Sequence, residues 1–113
     1  MLDIDSLRAF GANVEEGIRR VANREDLYLR LVARVPYESG FTKLREAIIA
    51  HNLEAGFQAA HGLKGICANL SLDPLTVIVS EVTEKLRARE DIDYTPYLEE
   101  IESLRKKLEG ICA

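Results

Sequence analysis

The chain has 113 residues, of which 47% are hydrophobic and 30% charged, and its formal net charge at pH 7 is −4. This length suits one domain with a single hydrophobic core, so we expect residues 1–113 to fold as one unit. The only run of three basic residues is Arg105-Lys106-Lys107. Size and charge therefore argue against a large two-substrate enzyme, a nucleic-acid-binding protein and a protein that binds anionic membrane surfaces.

Neither targeting segments nor cysteines indicate a secreted or membrane protein. The longest apolar stretches span only a few residues, too few for a transmembrane helix or a signal-peptide core. Together with the acidic start at Met1-Leu2-Asp3, this predicts a cytoplasmic protein. Cys67 and Cys112 lack a metal-ligand spacing. We interpret them as two reduced thiols, with a redox switch as the alternative.

The first part of the chain predicts short helices. Apolar residues recur at helical spacing almost throughout, and no segment alternates as a strand would. One short helix should end at Gly11 and a second at Asn23. A longer helix should begin at about Arg24 and be interrupted near Pro36, because proline lacks a backbone donor and clashes with the preceding turn. Ser39-Gly40 could mark the same break.

The pattern resumes at Phe41 and is expected to end at His51-Asn52, where Asn52 suits a left-handed helix terminus. The next helix should span roughly Leu53 to Leu70. Its predicted core-facing residues are Leu53, Phe57, Ala60, Leu63, Cys67 and Leu70.

Two prolines predict the starts of the last two helices. At Asp73-Pro74, aspartate would be the N-cap and proline the first helical residue, and Thr95-Pro96 opens the final helix, which Gly110 should end. Four principal helices with short connections predict an all-α, antiparallel up-down four-helix bundle with a short N-terminal helical addition. The predicted inward residues of these two helices are Leu75, Ile78, Val79, Val82 and Leu86, then Tyr97 or Leu98, Ile101, Leu104 and Leu108.

His61 is the residue that we expect to carry chemistry. At about 100° per residue it lies roughly 120° from the centre of the apolar stripe of its helix, so it should be exposed. Helical side chains lean toward the N-terminus, and the residue that would cover the imidazole is Gly65. With Gly62, that makes two glycines inside a segment whose pattern predicts a helix, each costing about 1 kcal/mol relative to alanine. Open space beside the ring is one explanation, and close helix packing is the other.

Lys64 lies about one turn from His61 and could reach a phosphoryl group attached there. A phosphoryl group carries nearly two negative charges, so a nearby ammonium should stabilise it. Histidine suits phosphoryl transfer because its free pKa of about 6.5 leaves a neutral, nucleophilic nitrogen near pH 7.

The segment from Ala60 to Leu70, AHGLKGICANL, resembles the active-site helix of histidine-containing phosphotransfer (HPt) domains. Their motif is His-x-Leu-Lys-Gly, followed by small residues and a leucine. The resemblance implies a four-helix bundle in which His61 accepts the phosphoryl group, Lys64 stabilises it and Gly65 keeps the approach open. The implied protein has no nucleotide-dependent kinase activity and no cofactor of its own, and the partner supplies magnesium and the acceptor aspartate.

The implied partners are a response-regulator receiver domain, a hybrid sensor histidine kinase, or both. We expect a monomer. The predicted docking surface centres on His61, Lys64 and Gly65. Its further candidates are Gln58, Ala68 and Asn69 on the same helix and Thr76, Ser80 and Thr83 on the next.

The chain departs from the HPt pattern at two positions. Ser71 stands where members commonly have glycine, which could alter how the turn is capped. Thr83 aligns where many members place a glutamate or glutamine that hydrogen-bonds the histidine ring, and threonine is shorter and neutral. Glu84 lies about 100° further around its helix, so the sequence leaves open whether its carboxylate reaches the histidine ring. These departures bear on the rate of phosphoryl transfer rather than on which residue accepts the group.

Two alternatives remain open. One is a bundle-shaped interaction module that docks on a receiver or kinase without carrying phosphate, and the other is the phosphoacceptor domain of a chemotaxis-type kinase. The second histidine, His51, lacks the Leu-Lys-Gly context and is interpreted as a capping or surface residue. A metal site shared by the two histidines is not expected, because ten residues across a helix break do not converge predictably.

Overall fold

Seven α-helices make up most of the chain in a computed structural model that describes residues 2–113. Among these residues there is no β-strand, which confirms the all-α prediction. A short 3-10 helix, Val35–Tyr37, connects the third and fourth helices. The helices are α1 (Ile4–Phe10), α2 (Val14–Arg20), α3 (Glu25–Arg34), α4 (Ser39–Ile49), α5 (Leu53–Asn69), α6 (Asp73–Arg87) and α7 (Thr95–Cys112).

The predicted breaks at Gly11 and Pro36 are confirmed, whereas α2 ends at Arg20, three residues before Asn23. Gly11 ends α1 with a φ of 110°, a left-handed conformation that glycine adopts without steric cost. Asn23 also has a positive φ, of 60°, and α3 begins two residues later. Pro36 lies in the 3-10 helix, where the regular hydrogen-bond pattern changes before α4 begins.

The prediction for Asn52 was wrong. Asn52 is the N-cap of α5, with a φ of −95°, and its side-chain oxygen accepts a hydrogen bond from the backbone N–H of Ala55 at 3.0 Å. The left-handed residue after α4 is His51, with a φ of 55°. Asparagine therefore serves the start of the following helix, because its short side chain reaches an otherwise unpaired amide there.

Two other predicted helix ends need correction. Asp73 is the first residue of α6 rather than its N-cap; that position belongs to Leu72, which is fully buried and makes no side-chain cap. The backbone N–H of Thr76 donates to the carbonyl oxygen of Leu72 at 3.0 Å, so the helix starts one residue earlier than expected. Gly110 does not end α7, which continues to Cys112. Glycine in a helix lowers stability, but it ends a helix only where the backbone turns left-handed.

The core runs along the length of the molecule. Helix α5 packs against α4 and α6, α6 packs against α7, and α7 packs against α1. The predicted inward residues Ala60, Leu63 and Cys67 of α5 and Leu70 directly after it are buried, as are all five in α6. Leu53 and Phe57 are only partly buried. None of the helices that residues 2–113 form combines the length and apolar character of a membrane span.

The N-terminal helices are attached to the turn between α5 and α6. The hydroxyl of the fully buried Tyr28 donates to the carbonyl oxygen of Leu70 at 2.8 Å. The backbone N–H of Asn13 donates to the carbonyl oxygen of Ser71 at 2.9 Å. Ser71 has a φ of 53°, the left-handed conformation that glycine adopts most easily. These contacts hold the C-terminal end of α5 in place.

Candidate functional site around His61

His61 lies on the exposed side of α5, as its angular position predicts. The flanking core residues Ala60 and Leu63 are 0% and 1% exposed. Because they fill the space toward α4 and α6, the rotation of the helix about its axis is fixed. The imidazole is consequently presented to solvent.

Gly62 and Gly65 border an open space. Apart from adjoining residues and the helix backbone, no heavy atom of residues 2–113 lies within 4 Å of the point where a Cβ would stand at either glycine. Gly17 differs, because a Cβ there would stand 2.4 Å from the Tyr28 ring. Close helix packing therefore does not explain Gly62 and Gly65.

Charges of both signs lie beside the ring. Lys64 is partly buried. Glu84 of α6 is close enough to Lys64 and His61 to interact with both electrostatically. A hydrogen bond from Arg87 is the main reason why the pKa of Glu84 lies below its usual value, and the charges of Arg87, Lys64 and His61 add to this. Glu84 thus stays ionised within electrostatic range of His61 and Lys64.

Thr83 does not belong to the docking surface, which corrects the prediction. Its side chain is 0% exposed, and its hydroxyl donates to the carbonyl oxygen of Val79 at 2.6 Å. Thr83 lies on the inward face of α6 beside Val82, and it bonds its own helix backbone as threonine commonly does. No partner can contact it in this conformation.

The other predicted docking residues are accessible to different degrees. Gln58 and Asn69 are exposed and Ala68 is partly buried on α5. Thr76 and Ser80 are partly buried on α6. Among the predicted docking residues, a partner that covers His61 would thus meet mainly those of α5.

Phe57 and Arg87 are site residues that the sequence analysis missed. The Phe57 ring stacks on the His61 imidazole, with ring centroids 5.6 Å apart and planes inclined by 18°. The guanidinium carbon of Arg87 lies 4.8 Å from the Phe57 centroid, and Arg87 Nε donates to Glu84 Oε2 at 2.8 Å. The i, i+4 spacing of Phe57 and His61 was the available signal, since such residues are neighbours on a helix surface.

The remaining candidate groups stay apart from this site. His51 is exposed in the turn between α4 and α5. Burial raises the pKa of Cys67 to about 12, which leaves its thiol protonated and unreactive, and neither Cys67 nor Cys112 forms a disulfide. Within residues 2–113 there is no group of three or more His, Cys, Asp or Glu side chains that could hold a metal ion.

Comparison with known proteins finds no family model, no curated protein and no solved structure that matches this chain significantly. The HPt resemblance therefore rests on the sequence alone. Its strong part is the His-x-Leu-Lys-Gly core of α5, and it extends to Asp26-Leu27-Tyr28 through Leu31 and to the apolar positions Leu75, Val79 and Val82.

The glycine geometry predicts a gain in stability on substitution. Gly62→Ala and Gly65→Ala should each raise the free energy of unfolding by about 1 kcal/mol, because alanine favours the helix and nothing obstructs its methyl group. Gly17→Ala is the control and should be destabilising, because its methyl group would clash with Tyr28. Urea unfolding measures all three; a loss of stability at Gly62 or Gly65 would show that packing requires these glycines.

Proposed function

We propose that this protein is a histidine phosphotransfer protein of a two-component phosphorelay, which carries a phosphoryl group on His61 to or from a receiver-domain aspartate. The observation that carries the proposal is the exposed imidazole beside two glycines that packing does not require. These glycines lower helix stability, and access for a partner's active site gives them a purpose.

The chemistry requires few groups on this chain. A neutral imidazole nitrogen of His61 attacks the phosphorus of an aspartyl phosphate, the bond from phosphorus to the aspartyl oxygen breaks, and its electron pair leaves on the carboxylate. The reverse step returns the group to a receiver. Lys64 stabilises the charge of the bound phosphoryl group. The receiver contributes the aspartate and magnesium, so the chain needs no cofactor and acts without nucleotide-dependent kinase activity.

The finer architecture that we propose is a four-helix bundle of α4–α7, with α1–α3 as the N-terminal addition. Helices α4 to α7 pack against one another in chain order. Arg45 of α4 lies near enough to Glu102 of α7 to lower the pKa of its carboxyl, secondary to the hydrogen bond from Arg105. This proximity of α4 and α7, the first and last of the four helices, supports a closed bundle. We further propose a cytoplasmic monomer that docks through Gln58, Lys64, Ala68 and Asn69 around His61.

A second candidate function is an interaction module that docks on a receiver or kinase without carrying phosphate. Glu84 favours this alternative, because its ionised carboxylate beside His61 would oppose a phosphoryl group. The buried Thr83 adds to it, since this residue cannot hydrogen-bond the histidine ring. Lys64 and the open glycines favour phosphoryl transfer.

Labelling by a phosphorylated receiver domain distinguishes the two candidates. The protein should acquire an acid-labile, alkali-stable label that His61→Gln abolishes and that His51→Gln, the matched control, leaves unchanged. A label that survives His61→Gln, or receiver binding without any label, would contradict phosphoryl transfer through His61.

A larger residue at position 65 should obstruct access to His61 without lowering the stability of the helix. Gly65→Gln should slow labelling by a phosphorylated receiver at least about 10-fold, since the longer side chain occupies the approach to His61, while the helix stays folded. Gly110→Gln provides the control, because Gly110 is an equally open helical glycine in α7. Equal labelling rates for the two variants would show that the space at Gly65 is not needed.

A further inference from the structure

We infer that Phe57, braced by Arg87, is a positioning residue that holds the His61 imidazole in one orientation for phosphoryl exchange. This inference rests on the proposed function and assigns a role to two residues outside the His-x-Leu-Lys-Gly motif. Phe57 and Arg87 act through the ring and make no bond to the phosphoryl group.

The stack restricts an otherwise mobile side chain. An exposed histidine on a helix turns about two side-chain bonds, and each orientation points its nitrogens in a different direction. With centroids 5.6 Å apart and planes inclined by 18°, the rings of Phe57 and His61 are within the range of favourable aromatic contact. Rotation of the imidazole away from this plane would break the contact.

Phe57 is itself held from the neighbouring helix. Arg87 of α6 lies over its ring, with the guanidinium carbon 4.8 Å from the centroid, a cation–π distance. The guanidinium also donates a hydrogen bond to Glu84 at 2.8 Å, which favours this arrangement. The chain of contacts from Glu84 through Arg87 and Phe57 to His61 therefore ties the imidazole to α6 as well as to α5.

The position of Phe57 separates this role from core packing. Phe57 is only partly buried, whereas Ala60, Leu63 and Cys67 supply the fully buried surface of α5. Leucine at position 57 would keep the apolar contact with the core and lose the stack. In-line attack needs a nitrogen lone pair aimed at phosphorus, so a freely turning ring would transfer more slowly.

Proton NMR of the unphosphorylated protein tests the stack directly. The ring protons of His61 should be displaced from random-coil shifts by the Phe57 ring current. Phe57→Leu should return them toward random-coil values, whereas Phe57→Tyr, which keeps an aromatic ring, should preserve the displacement. His61 shifts that are unchanged in Phe57→Leu would overturn the inference, whatever the protein's function.

Labelling by a phosphorylated receiver tests the consequence. Phe57→Leu should lower the labelling rate about five- to tenfold, and Phe57→Tyr should stay within about twofold of the wild type. The urea midpoints of the two variants should be similar.

Arg87→Gln should also slow labelling. Arg89→Gln is the control, because Arg89 pairs instead with Glu54. Wild-type rates in Phe57→Leu would overturn the positioning role. Failure to label the wild-type protein would refute the proposed function and, with it, the positioning role of Phe57. The His61 ring shifts would still show whether Phe57 stacks on the imidazole.

Discussion

The burial of one face of α5 is the constraint on which the site depends. Ala60, Leu63 and Cys67 fill the space toward α4 and α6, and each large apolar side chain buried there contributes about 1.5–3 kcal/mol. Turning the helix to hide His61 would expose this stripe to water. The packing of the core therefore sets the exposure of the imidazole, and the attachment of Tyr28 to Leu70 holds the end of the helix.

Local stability and the site's accessibility oppose each other along this helix. Gly62 and Gly65 lower helix stability where alanine would fit, and ionised Glu84 lies beside His61, where a phosphoryl group would feel repulsion. Arg87 engages that carboxylate and Phe57 at once. Lys64 and Arg87 are thus the cations that offset Glu84, and the balance among these charges sets how long His61 would retain a phosphoryl group.

Helical periodicity predicted most of the fold, because a single amphipathic stripe determines which face of each helix is buried. Exposure of His61 followed from the same rule. Helix ends were harder to predict, because Asn52, Asp73 and Gly110 suit more than one position at a terminus. Contacts between side chains of different helices could not be predicted from the apolar pattern. The approach of Arg87 and Glu84 to α5 depends on how α6 packs, which no spacing within one helix encodes.

The most direct test of the central claim is phosphorus NMR of the protein after treatment with phosphoramidate, a small phosphoryl donor that requires no partner kinase. Because His51 is also exposed, the protein carries His51→Gln in this experiment. We predict one phosphohistidine resonance, absent when His61 is also replaced by Gln, that disappears when an unphosphorylated receiver domain and magnesium are added. A resonance that persists without His61, or one that the receiver domains of hybrid histidine kinases and response regulators never discharge, would contradict the assignment of His61 as a phosphoryl carrier.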